Sequence, residues 1–182
     1  MRRQRWILRA CFLAVICLGV ALKGVWARVS ADDGTRWDVS LRKVSHVYRP
    51  HVRTSAHEDC DFLSGRGAVR VCAPAEGADV AYSLLCAAFP LILTAVVLAL
   101  ACGILTAVSP RPPSNTAVAL TGAALAASFG GTLMAIIAMP RSLAGLEGLP
   151  LRLGGLAYDA SWLGVGCLAI AVILSAASVL RG

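Results

Sequence analysis

Apolar and polar positions along this chain fall into blocks. Four long apolar runs are separated by one long polar stretch, one proline-rich link and one leucine-rich loop. The first run, "WILRACFLAVICLGVALKGVW" from Trp6 to Trp26, has 13 uninterrupted apolar residues, Ala10 to Leu22, between Arg9 and Lys23. Both charges stand near its ends, where long side chains reach the headgroups, and the tryptophans suit the interfacial belt. The second run, Ala81 to Val108, exceeds the ~20 residues needed to cross a bilayer, so tilt or a bend at Pro90 is expected. The third and fourth, Ala117 to Met139 and Ser161 to Leu180, are uncharged and of spanning length. The pattern predicts transmembrane helices over about 6–27, 81–108, 117–139 and 160–180, with "SPRPPSN" turning the chain between the second and third.

The polar stretch, residues 28–80, changes period. In "RWDVSLRKVSHVY", Trp37, Val39 and Leu41 alternate on odd positions, and Val44, His46 and Tyr48 continue on even ones. Alternation of period two predicts strands, and the slip near Arg42 and Lys43 predicts a bulge. Downstream, "CDFLSGRGAVRVC" reads as a hairpin centred on Arg66. Gly65 and Gly67 flank the turn, and Cys60 falls opposite Cys72. The outcome is a small antiparallel sheet of three or four strands on the mouth of a helical bundle.

Composition agrees with the blocks: 58% of residues are hydrophobic and 15% charged, and the mean hydropathy of +0.73 lies beyond that of soluble domains. The 182 residues leave room for one membrane domain, 1–182, and none for a separate catalytic unit. The formal net charge of +7 does not imply nucleic acid, because the basic residues flank the spans. One end of the predicted bundle carries Arg2, Arg3, Arg5, Arg9, Arg111 and Arg181 with no acidic residue, whereas residues 28–79 hold eight Lys/Arg and eight Asp/Glu. The positive-inside rule then predicts both termini inside and the long loop outside. A competing reading has residues 1–27 as a signal peptide cut after Ala27, with "MRRQR" as its basic region. The long loop is outside in either case.

An oxidising exterior favours a disulfide between Cys60 and Cys72. A bridge closing a loop of this size contributes roughly 3 kcal/mol in the chain-entropy model. Two alternatives stand beside it. A zinc site could draw on His46, His51, His57 and Cys60, although only His57 and Cys60 are closely spaced. A redox pair more often has the C-x-x-C spacing.

Within the membrane, the second to fourth spans contain no Asp, Glu, His or Lys, the residues that intramembrane catalysts and transporters place at depth. A non-enzyme without metal or cofactor is expected. What the spans do contain is small residues at helix-contact spacing: Gly122, Ala126 and Gly130, with Gly131 one position on, and Gly164 in the fourth span. Such faces let helix backbones approach closely, within the bundle or against a partner. Trp6, Trp26 and Trp162 are the candidate interfacial anchors.

Four spans, a long first outer loop and a disulfide-spaced cysteine pair before the second span resemble the claudin and peripheral-myelin-protein superfamily of tetraspans. "GGLAYDASWLGVGCLAIAVIL" is similar to that family's approach to its fourth helix. "GRGAVRVCAP" and "LACGILTAVS" are similar to tetraspans that modulate the Hedgehog receptor Smoothened. The chain departs from the family's Gly-Leu-Trp signature, having "HED" before Cys60. The resemblance implies an all-α membrane fold, a four-helix bundle with a disulfide-stapled antiparallel sheet in the first extracellular loop. Its expected partners are the lipid bilayer and another integral membrane protein or a second copy. Two functions follow: regulation, chaperoning or scaffolding of another membrane protein, or claudin-like adhesion by side-by-side polymerisation, kept open by Leu143, Leu146, Leu149, Leu151 and Leu153 in the second outer loop.

Overall fold

The computed structural model describes residues 2–30, 36–41, 43–47, 60–61, 78–109, 115–142 and 151–180. The elements run in the order α1 (Arg2–Lys23), β1 (Ala27–Ser30), β2 (Arg36–Val39), β3 (Lys43–Val47), β4 (Cys60–Asp61), α2 (Ala78–Val108), α3 (Asn115–Ser142), β5 (Leu151–Leu153) and α4 (Leu156–Val179). All four helices are long and apolar enough to cross a membrane. The four predicted spans therefore lie on four helices, and each helix packs on its two neighbours in the ring α1, α2, α3, α4.

The buried positions explain how the ring closes. In α1 they are Ile7, Cys11, Ala14, Leu18 and Ala21; in α2 they are Leu85, Ala88, Ile92, Ala95, Ala99, Cys102 and Thr106. In α3 the buried seam follows Ala117, Thr121, Ala124, Ser128, Thr132, Ala135 and Ala138, and in α4 it follows Ala157, Ser161, Gly164, Leu168, Ala171 and Ser175. The steps are three or four residues and mostly alternate, the seven-residue repeat that keeps one seam facing its neighbours in a left-handed supercoil. Most seam residues are Ala, Gly, Ser, Thr or Cys, while Phe12, Leu13, Ile16, Val97, Ile104, Leu163, Ile170 and Ile173 face outward. Volume, rather than polarity, separates inside from outside. Lipid solvates apolar side chains as well as a protein core does, so association rests on close packing and interhelical hydrogen bonds.

One such bond joins α3 to α4. The Thr132 hydroxyl donates to the Ser128 carbonyl at 2.7 Å and accepts from the Ser161 hydroxyl at 2.6 Å, with both side chains fully buried. At one end of the bundle, the Gln4 amide donates to the carbonyls of Thr106 and Ser109 at 2.7 and 2.8 Å, and Arg3 donates to the carbonyl of Ala177 at 3.3 Å. The first turn of α1 thus supplies donors to the carbonyls that the last turns of α2 and α4 leave without intrahelical partners. It also places the start of α1 and the finish of α4 at the same end.

The sheet occupies the opposite end. Among the described residues it has five strands in the order β4-β3-β2-β1-β5, all neighbours antiparallel. Two strands were not expected: β1, which follows directly from α1, and β5, which comes from the segment between α3 and α4. The expected bulge near Arg42 is instead a chain reversal, with Val39 opposite Val44 and Trp37 opposite His46. Facing residues in an antiparallel pair keep a constant sum of positions, here an odd one, so odd residues on β2 face even residues on β3. The parity slip in the sequence is the signature of that turn.

Trp26 seats the sheet on the bundle. Its indole donates to the Ala21 carbonyl at 2.6 Å, its backbone N–H donates to Val39 at 2.8 Å, and its carbonyl accepts from the N–H of Gly154 at 3.3 Å. Trp26, Ala27, Val39 and Leu41 join the main core with Ala14, Leu18 and Ala157. Trp26 is 1% exposed, so the expected lipid-facing belt position does not describe it. The ring is enclosed because β1 turns back over the bundle immediately after α1. That reversal needs glycine, because a Cβ on Gly24 would stand 2.7 Å from the Ala157 Cβ; a second glycine, Gly154, adopts φ +142° between β5 and α4.

Candidate functional site

The structure brings the candidate glycines to two different places. Gly131 and Gly164 lie in the seams. A Cβ on Gly131 would stand 2.8 Å from Ile92 Cγ1 and 3.1 Å from the Ala88 carbonyl oxygen, and one on Gly164 would stand 2.8 Å from Leu18 Cγ. These two positions let α3 close on α2 and α4 close on α1.

Gly122, Ala126 and Gly130 run down the opposite side of α3. Ala126 is exposed, and a Cβ on Gly122 or Gly130 would meet nothing among the described residues within 4 Å. A spacing of four residues keeps all three close to one line on the helix surface. Phe129, Leu133 and Ile137, 45%, 36% and 48% exposed, stand beside this line as its larger neighbours. The result is a shallow channel on the membrane-facing side of α3, floored by backbone.

A second depression lies on α4, a hollow of about 550 Å³ lined by Asp159, Trp162, Leu163, Gly166, Cys167 and Ile170. A Cβ on Gly166 would also meet nothing within 4 Å. Trp162 meets Phe129 edge-on, with ring centroids 6.1 Å apart and an interplanar angle of 69°. This aromatic contact, a favoured geometry for ring pairs, stands between the α3 channel and the α4 hollow. Trp162 is one of the expected interfacial anchors, and Gly166, like Gly164, belongs to the small residues that the sequence offers along the fourth span. Leu163 and Ile170 flank Gly166 on the same helix face.

Trp6 is 58% exposed and carries the Arg9 guanidinium over its ring at 5.3 Å. Cys60 lies in β4, where its backbone pairs with Val44. Cys72, Gly65, Arg66 and Gly67 lie outside the described residues. So do His51 and His57 of the alternative zinc reading.

No protein-family model matches the chain, and no curated protein sequence matches it. The class rests on the fold itself: a multi-pass integral membrane protein with four apolar helices and a small antiparallel sheet at one end.

Proposed function

We propose that the chain is a non-enzymatic tetraspan that binds another integral membrane protein within the bilayer and regulates, chaperones or scaffolds it. The observation that carries this reading is the outward Gly122–Ala126–Gly130 channel, a small-residue face on which none of the described residues packs. Close backbone approach at such a face gains dispersion contacts and weak Cα–H···O bonds that larger side chains forbid. A transmembrane helix of a partner is the occupant that fits it. The same proposal has both termini inside, the sheet outside, and Cys60 bridged to Cys72 as a staple of the outer sheet. It keeps the claudin and peripheral-myelin-protein superfamily as the relationship implied by the layout.

Proximity labelling in intact cells with the chain carrying Gly122→Leu, Ala126→Leu and Gly130→Leu tests the reading. The triple variant is expected to insert and elute as the parent does, because these positions face away from the bundle, and to lose its labelled membrane-protein neighbours. Unchanged neighbours would overturn the proposal. Loss of self-association alone, with no other neighbour lost, would turn it to the side-by-side polymerisation of an adhesion protein.

A further inference from the structure

The basic end of α1 has a chemistry that neither the bundle nor a partner helix explains. Arg5 and Arg9 are one helical turn apart on the outward face, followed on the same side by Phe12, Leu13 and Ile16, which are 45%, 51% and 63% exposed. Arg3 and Gln4, by contrast, turn inward to the carbonyls at the ends of α4 and α2. Arg9 lies six residues inside the apolar window that begins at Arg3, about 9 Å along the axis at the α-helical rise.

Two facts make that arrangement incomplete. Like charges four residues apart on a helix repel, so Arg5 and Arg9 oppose each other. No acidic side chain is near enough in the sequence to relieve them, because all ten Asp and Glu residues lie in 32–79 and 147–159, the segments attached to the sheet end. Arg28, at that end, has Asp38 at 3.5 Å. A cation on a lipid-facing surface draws its partner from the lipid when the protein offers none. The ring of Trp6 under Arg9 holds the guanidinium in place at 5.3 Å and leaves its N–H edge free for a planar, two-pronged contact with phosphate.

We propose that Arg5, Trp6 and Arg9 form a binding site for an anionic phospholipid. The phosphate sits between the two guanidinium groups, and an acyl chain follows Phe12, Leu13 and Ile16 along α1. The site is separate from the α3 channel, so it stands or falls independently of the partner reading.

Native mass spectrometry of the full chain, released from nanodiscs of phosphatidylcholine and phosphatidylglycerol in equal amounts, tests it. The parent protein is expected to retain phosphatidylglycerol preferentially. Arg5→Gln with Arg9→Gln is expected to lower the anionic-to-zwitterionic ratio by about thirtyfold, from roughly fivefold per basic residue near a membrane surface. Arg5→Lys with Arg9→Lys keeps the charge and hence the insertion signal. It is expected to lose only a few-fold, since an ammonium cannot make the two-pronged contact, and it serves if the glutamine pair fails to insert. Arg28→Gln should leave the ratio unchanged. No lipid preference in the parent, an unchanged ratio in the glutamine pair, or an equal loss in Arg28→Gln would overturn the site.

Discussion

Gly130 and Gly131 are adjacent in the chain and opposite in surroundings. A methyl group added to Gly131 would press on Ile92 and on the Ala88 carbonyl, whereas one added to Gly130 would meet nothing within 4 Å. One residue is about 100° of helix rotation, enough here to take a glycine from the α2–α3 seam to the lipid. Both faces of α3 are built from small residues, but the seam follows steps of three and four and the outer channel follows strict steps of four. An i+4 row drifts slowly around the helix, so it can hold an outside line only over the few turns from Gly122 to Gly130. The seven-residue repeat stays on its neighbour for the whole span.

Enlarging each glycine in turn separates the two surroundings most strongly. Gly131→Leu is expected to destabilise the bundle by about 3 kcal/mol, toward the upper part of the range for overpacked cores, because a backbone carbonyl of α2 cannot rotate away as a side chain can. Gly130→Leu should unfold with the parent, within about 0.5 kcal/mol, the usual limit for a surface change. Unfolding by sodium dodecyl sulfate titration in mixed micelles reads both. Equal losses would mean that the outer channel is packed after all.

Much of this architecture was legible. Hydropathy alone located the spans, since an uncharged run such as Ala117 to Met139 has few other structural readings. Strand alternation located β2 and β3, and even the misread bulge recorded a real feature, the reversal between Val39 and Val44. What could not be read were features carried by volume or by very short segments. The seams are invisible to hydropathy because Ala124 inside and Leu133 outside are both apolar; only their size differs. β5 is three residues, Leu151–Leu153, and the pairing of Val29 with Leu151, which have α2 and α3 between them in the chain, leaves no local trace. Trp26 misled for a related reason: a tryptophan after an apolar run has the same sequence signature whether it meets lipid or, as here, a sheet folded back over it.

A smaller effect separates packing from hydrogen bonding in the seam. Thr132→Val and Ser161→Ala each remove one side of the α3–α4 hydroxyl pair. A double-mutant cycle is expected to give a coupling of about 0.6 kcal/mol, the average for interhelical bonds in a membrane, and no more than about 1.7. The value stays small because Thr132 retains its bond to Ser128 whether or not Ser161 is present. A coupling near zero would mean that the α3–α4 seam is held by shape alone.

The smallest change tests the outer face most directly. Gly130→Ala adds one methyl group where nothing lies within 4 Å, so the folded bundle carries no clash. Alanine restricts the unfolded chain more than glycine does and has the higher helix propensity, and such substitutions at compatible sites stabilise by about 0.4 kcal/mol or slightly more. The variant should therefore resist unfolding slightly better than the parent. A partner helix resting on the channel floor would meet the same methyl group and be pushed away from close backbone contact. Stability and association are thus expected to move in opposite directions: a small gain in the detergent titration and a loss of co-purifying or proximity-labelled membrane proteins. Overpacking inside the bundle would lower both together, and a bare lipid-facing surface would raise stability and leave association unchanged. The sign of each readout at this one position tells a docking face from a seam and from a surface that meets only lipid.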